Sequence, residues 1–201
     1  MLPEGWVWLG DGAWRGPRPE SHAPGALSRV LRDDPAVWDV LETEHAVAVY
    51  FDPQHPPARL QERIAHASTQ AASTAREHSL RVCYDGPDLQ AVARALDLGV
   101  EEFIQRHSHS LYQVAMLGFM PGFAYLRGDD AALSLPRRSN PRPRIPAGSL
   151  ALGGPYTAIY PWDSPGGWHL LGRVLDVHLF GAHGALLQTG DRIRFEVLPS
   201  A

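Results

Sequence analysis

The sequence predicts a two-domain chain, α+β in its first part and mainly β beyond, on the strength of three observations. The first 85 or so residues carry strand-like and helix-like runs in the order β-α-β-β-α-β. Beyond Tyr112 the texture changes, with Pro and Gly every few residues separating short apolar runs, as in a small barrel or sandwich. Between these parts stands Asp85-Gly86-Pro87, a turn-forming tripeptide read as a junction, which gives domains 1–85 and 86–201. A chain of 201 residues, 44% hydrophobic and 20% charged, is long enough for one or two such cores.

Each element has a local cause. Trp6-Val7-Trp8-Leu9 is a short strand stopped by Gly10-Asp11-Gly12, and a Pro/Gly-rich loop follows. Pro24 opens a helix whose Leu27, Val30 and Leu31 share a face, and Pro35 ends it. Val37 to Leu41 and His45 to Phe51 form a hairpin about Glu42-Thr43-Glu44. From Pro57 to about His78, Leu60, Ile64, Ala67, Ala71 and Ala75 recur at helical spacing, and Ser79 to Tyr84 is again strand. This order is the split βαβ arrangement of ferredoxin-like domains, with two helices on one face of an antiparallel sheet. In the second part, Asp88 caps a helix carrying Leu89, Val92, Ala93 and Leu96, and another runs from about Val100 to His107. The closing strand is the cleanest: Ile193, Phe195 and Val197 face one way, Arg192, Arg194 and Glu196 the other.

Composition excludes several chemistries. All 18 cationic side chains are arginines, so the chain has no Walker-A lysine, no Schiff-base lysine and no lysine to carry biotin or lipoate. Against 22 acidic groups the net charge is -4, which argues against nucleic acid or an anionic membrane as partner. The single cysteine, Cys83, cannot form an intrachain disulfide and is expected to be buried at the end of the fourth strand of the N-terminal sheet. No stretch approaches the ~20 apolar residues of a spanning helix, and Met1 to Gly5 lacks the pattern of a secretory signal. A cytoplasmic location is expected.

Three segments concentrate chemistry. Pro136 to Pro146 sets Arg137, Arg138, Arg142 and Arg144 in a proline-stiffened loop, read either as an anion clamp or as arginines paired with the chain's own carboxylates. Ser164-Pro165-Gly166-Gly167-Trp168 is either a backbone nest for a carboxylate or a tight barrel turn. Leu117 to Leu126 is an aromatic loop that lines a pocket or belongs to the core; Phe119, Phe123, Tyr125 and Trp168 are expected to leave apolar surface exposed on the barrel. Upstream, His107 is a general acid/base or a core histidine. His107 and His109 point apart if helical, so no metal site is expected.

Together and in order, His107-Ser108, Tyr112, Gly118-Phe119-x-Pro121-Gly122-Phe123-x-Tyr125-Leu126, Pro136-Arg137, Pro141-Arg142, Pro146-Ala147-Gly148-Ser149, Tyr160-Pro161, Ser164 to Trp168 and Gly172-Arg173 resemble the B subunit of bacterial ATP-dependent 5-oxoprolinase. The same family is also labelled allophanate hydrolase subunit 1 and includes an inhibitor of a sporulation histidine kinase. The resemblance implies a ferredoxin-like N-terminal domain and a cyclophilin-like β-barrel. It implies a hetero-oligomer with a C subunit homologous to this chain and an A subunit that binds the lactam, which opens 5-oxoproline to glutamate with ATP used by the complex. On this reading His107, Tyr112 and Arg142 are catalytic. Arg137, Arg144, Ser164, Gly166, Gly167 and Arg173 bind substrate or anion in one cleft near His107, and Phe119, Pro121, Phe123 and Trp168 line its pocket. The chain departs from the pattern at Tyr156-Thr157-Ala158, where the family has Gln-Thr-Gly, and at Val174-Leu175, where it has Thr-Pro. Those departures keep open a noncatalytic regulatory role, and a carboxyltransferase half acting on a urea-like amide with biotin on another chain.

Overall fold

The computed structural model describes residues 2–67 and 75–199, and the chain divides into two compact units, Met1–Ala75 and Arg76–Ala201. In the first, Val7–Trp8 (β1), Ala13–Pro17 (β2), Val37–Glu42 (β3) and Ala46–Phe51 (β4) form an antiparallel sheet in the order β1-β2-β4-β3. Val47, Val49 and Phe51 alternate inward along β4 and share a cluster with Leu27 and Leu31 of helix α1 (Ala26–Arg32) and Leu60 of α2 (Leu60–Ala67). The predicted hairpin forms, its Thr43 N–H and hydroxyl donating to the Ala46 carbonyl at 2.8 and 3.0 Å. Glu42, at the end of β3, turns inward and accepts the Gly25 and Ser28 N–H groups at 3.0 and 2.8 Å. A carboxylate there satisfies donors that the first turn of α1 leaves open.

Two expectations fail in this unit. The stretch read as a Pro/Gly-rich loop contains β2, whose Ala13 and Trp14 are buried. Gly16 is a strand residue because a Cβ there would stand 2.3 Å from the Trp6 ring, so packing and not turning selects glycine. The strand expected to complete a β-α-β-β-α-β order is elsewhere: Glu77–Cys83 (β5) belongs to the second unit, which begins at Arg76 and not after residue 85. Period-two alternation marks a strand without naming its neighbour. The helix expected to reach His78 is α2 up to Ala67; Ala71 lies outside the described residues, and His78 is in β5.

The second unit is a closed barrel of seven strands in the order β10-β7-β6-β15-β5-β12-β9. These are Tyr112–Leu117 (β6), Ala124–Gly128 (β7), Ser149–Gly153 (β9), Tyr156–Ile159 (β10), His169–Val174 (β12) and Arg192–Val197 (β15), with β5 parallel to β15. Two ribbons, Arg142–Ile145 (β8) with Ser164–Gly166 (β11) and Phe180–Gly181 (β13) with Gly184–Ala185 (β14), lie outside the closed order. Helices α3 (Leu89–Ala95) and α4 (Val100–His109) form as expected, and Phe103 of α4 is fully buried among barrel residues. Leu150 and Leu152 of β9 join that core, while Ala151 between them joins a second cluster with Phe123, Ile145, Tyr160 and Trp168. The ribbon β8–β11, which contributes Ile145, is thus seated on an aromatic bed.

Gly86, expected to mark a domain junction, sits inside the second unit, its N–H donating to the Leu171 carbonyl at 3.0 Å. A Cβ on Gly86 would lie 2.3 Å from the Leu170 carbonyl oxygen, and one on Gly172 would lie 2.1 Å from that of Cys83. Backbone meets backbone there, and neither partner can rotate away. Gly172→Ala is therefore expected to cost about 3 kcal/mol, read as a lower urea midpoint. Gly181→Ala, with nothing within 4 Å, should stay within about 0.5 kcal/mol of wild type; equal midpoints for the two variants would show that the crossing yields.

Candidate functional site

The arginine loop is organised by a carboxylate that the sequence assigned to another task. Asp88 precedes α3 but makes no side-chain capping bond there. Its Oδ1 accepts Arg138 Nη1 at 3.0 Å and Arg142 Nη2 at 2.8 Å, and its Oδ2 accepts the Leu170 N–H at 2.7 Å. Burial pushes this carboxyl up, but the hydrogen bonds from Arg142 and Leu170 and the charges of Arg142 and Arg138 prevail and hold it below the usual carboxylate range. Arg142 lies opposite Gly166 across the β8–β11 ribbon, Ser164 lies opposite Ile145, and the Arg138 N–H donates to the Gly167 carbonyl at 2.7 Å. Arg142 Nη1, Arg138 Nε and Ser164 Oγ are buried without a hydrogen-bond partner. Arg137 is carried over the Trp168 ring, 5.6 Å from its centroid. It also lines a groove of about 610 Å³ with Ala91, Ala95, Arg138, Asn140 and His169.

The other expected members are placed differently. Arg144 is bound to Asp163 through Nε and Nη2 at 2.8 and 2.6 Å, an exposed pair. Arg173 pairs with Asp85 at 2.9 Å. Gly166 is no anion nest: it belongs to a paired strand, and a Cβ there would stand 2.4 Å from the Tyr160 hydroxyl. Phe123 and Trp168 are buried with their rings edge to face at 5.7 Å, so they form packing and not exposed surface. Phe119 alone of the expected aromatic set is open, with Trp162, whose Nε1 donates to the Pro121 carbonyl, and Phe180 nearby in kind. The N-terminal unit also exposes Trp8, Trp38 and Leu41, contrary to the expectation that open apolar surface belongs to the barrel.

His107 is sealed. Its Nδ1 meets the Tyr84 hydroxyl at 2.7 Å, its Nε2 meets Thr157 Oγ1 at 2.9 Å, and the ring stacks on Phe195 at 5.6 Å. Tyr112 donates its hydroxyl to the His107 carbonyl at 2.9 Å. Burial drives the imidazole pKa down to about 3 and raises the Tyr84 and Tyr112 hydroxyls above their ordinary range. No solvent reaches His107, so the pair expected to do catalysis holds the barrel interior together. Cys83 is buried as expected, though in the barrel. Among the described residues no group of three or more His, Cys, Asp or Glu could hold a metal, and no helix is long and apolar enough to cross a membrane.

Residues 18–185 match the family described as carboxyltransferase domain, subdomain C and D. The chain belongs to this family. It is 40% identical over 142 residues to the 5-oxoprolinase B subunit of Bacillus subtilis, which covers 68% of this chain and 59% of that protein. It is 46% identical over 115 residues to the Haemophilus influenzae protein of the same name, covering 56% of this chain and 54% of the other. The chain thus spans little more than half the length of these relatives. Among solved structures, TTHA0988 superposes with a TM-score of 0.78 at 33% identity, over 94% of this chain and 41% of that one.

The carboxyltransferase-domain member thus joins a sealed histidine to a partly paired arginine loop, and each makes a prediction. A histidine whose folded pKa lies below its unfolded value takes up protons on unfolding, so its stabilisation is complete above about pH 6.5 and is lost as pH falls toward about 3. Each pH unit in that window costs up to about 1.4 kcal/mol. Wild type should lose more stability than His107→Gln between about pH 7 and about pH 4 in urea titrations; parallel losses would mean that His107 protonates without penalty. Arg142→Ala leaves the buried Asp88 one cation short and should cost roughly 2 kcal/mol. Arg144→Ala should change the melting temperature by less than about 2 °C.

Proposed function

We propose that this chain is one component of a bacterial 5-oxoprolinase complex, which opens 5-oxoproline to glutamate at the expense of ATP together with a homologous partner, the C subunit of the enzyme, and a lactam-binding partner, its A subunit. The observation that carries the reading is the 40% identity to a 5-oxoprolinase B subunit over 142 residues, 68% of this chain. The chemistry divides naturally between chains. Transfer of a phosphoryl group from ATP to the lactam oxygen activates the carbon; a first water adds to it and the ring nitrogen leaves as the C–N bond opens to an acyl phosphate, and a second water then releases phosphate and leaves the carboxylate of glutamate. This chain has no lysine and no P-loop, hence no Walker-A site, and the part proposed for it within an ATP-using complex is anion binding by Arg137, Arg138 and Arg142. No biotin is attached here for the same reason.

A second reading is favoured by the open aromatic groups Phe119, Trp162 and Phe180 on the barrel: a regulatory protein that docks on a histidine kinase without catalysis. Coexpression with both 5-oxoprolinase partners decides between them. ATP hydrolysis that depends on 5-oxoproline is expected from the assembled complex and absent from this chain alone. An assembled complex with no such activity would leave the regulatory reading standing, and activity of the single chain would remove the need for partners.

A further inference from the structure

We infer that the groove between helix α3 and the arginine loop binds a small carboxylate that carries an adjacent N–H donor, with Arg137 receiving the carboxylate and His169 accepting the N–H. The groove has a volume of about 610 Å³, room for a short organic molecule. Ala91 and Ala95, both exposed and one turn apart on α3, line it together with Leu135 of the loop and give it apolar surface for an aliphatic body. Its charged lining is entirely cationic: Arg137 and Arg138 stand in it with no Asp or Glu, in a chain whose net charge is -4. Arg138 is already engaged, since its Nη1 donates to Asp88, a carboxylate it shares with Arg142. Arg137 is exposed and has no carboxylate partner among the described residues.

Arg137 is carried over the buried Trp168 ring, its guanidinium carbon 5.6 Å from the ring centroid. Stacking of this kind engages the face of a guanidinium and not its N–H groups, which stay available to grip a carboxylate in two places. His169 Nε2 meets the carbonyl of Pro136, the residue before Arg137, at 2.9 Å. A carbonyl only accepts, so Nε2 carries the proton and Nδ1 of the neutral ring is left as an acceptor. Nδ1 has no partner among the described residues. An acceptor close to a guanidinium complements a carboxylate with an N–H beside it, as in an N-acylated or cyclic α-amino acid. One uncompensated positive charge matches one carboxylate and not a dianion. This ligand class follows from the groove; that 5-oxoproline is the member it holds rests on the function proposed above.

The full chain is titrated by calorimetry with 5-oxoproline, N-acetylglycine and acetate. N-acetylglycine keeps the carboxylate and the N–H without the ring, and acetate keeps the carboxylate alone. Wild type should bind the two N–H carboxylates about tenfold more tightly than acetate, or better. Arg137→Gln should weaken both by about tenfold or more. His169→Phe should abolish the preference over acetate, and Ala95→Trp, which fills the groove from an exposed helix position, should weaken all three. Unchanged affinity in folded Ala95→Trp or folded Arg137→Gln overturns the site. Acetate binding as tight as that of N-acetylglycine, a comparison that needs no variant, overturns the role given to His169. Binding of neither N–H carboxylate overturns the inference and leaves the proposed function standing, because that function is read from ATP hydrolysis by the assembled complex. N-acetylglycine binding without 5-oxoproline binding supports the groove and counts against 5-oxoproline as its ligand.

Discussion

One carboxylate determines where the arginine loop stands. Asp88 gathers Arg138, Arg142 and the Leu170 N–H, groups separated from it by 50, 54 and 82 positions in the chain. The loop between β7 and β8 has little ladder of its own: an isolated bridge joins Leu135 to Gly154, and Arg138 bonds to Gly167. The loop is also tied by the Arg106–Asp130 pair, by His169 Nε2 on the Pro136 carbonyl and by Arg137 over the Trp168 ring, and the Asp88 junction fixes Arg138 together with Arg142. Such a junction adds little net stability over an apolar equivalent, because desolvation of the charges opposes their attraction. What it adds is geometry. Removing one member leaves the others charged in a partly buried place, so the arrangement is held by the penalty for leaving it.

The barrel strands make that geometry possible by working on both faces. Along β9, Leu150 and Leu152 point to the interior, where His107, Phe103 and Phe195 are packed, and Ala151 points to the outer cluster under the ribbon. The outer cluster is aromatic because the small residues beneath it leave space: a Cβ on Gly153 would stand 2.4 Å from Trp168. Tyr160, whose hydroxyl burial raises against the nearby Arg137 charge, ties this bed to the arginines above. The sealed interior gives rigidity, and the outer face gives the loop a floor.

Much of this was legible in the sequence. The β3–β4 hairpin, helices α3 and α4 and strand β15 were visible because each carries its own period and its own stop signals. What stayed hidden has a common physical cause, since it depended on a partner distant in sequence. β5 alternates like any half-buried strand, and only the barrel makes it the parallel neighbour of β15. β2 looked like a loop because its Gly16 answers to Trp6. Asp88 read as a helix cap because the arginines it serves lie beyond two helices and two strands. His107 read as either an acid/base or a core histidine, and its ring falls on the helix face that enters the barrel. Motif order was the stronger signal for family, and it said nothing about which arginines were already engaged.

The absence of lysine then acquires a structural meaning. A lysine ammonium is a compact charge on a flexible stem; held by Asp88, it would have no second edge with a defined direction. Arginine divides its donors between two sides of one plane, so a carboxylate that fixes one edge also fixes the direction of the other. Arg142 is fixed in this way, and its other edge is buried and unpartnered. Arg144, only two residues on, has both Nε and Nη2 on Asp163 and lies exposed. The contrast between these two residues of one strand separates an arginine that anchors a loop from one that also keeps donors in reserve. Sequence proximity could not supply that distinction, because strand alternation would place positions two apart on one face, yet Arg142 reaches Asp88 and Arg144 reaches Asp163.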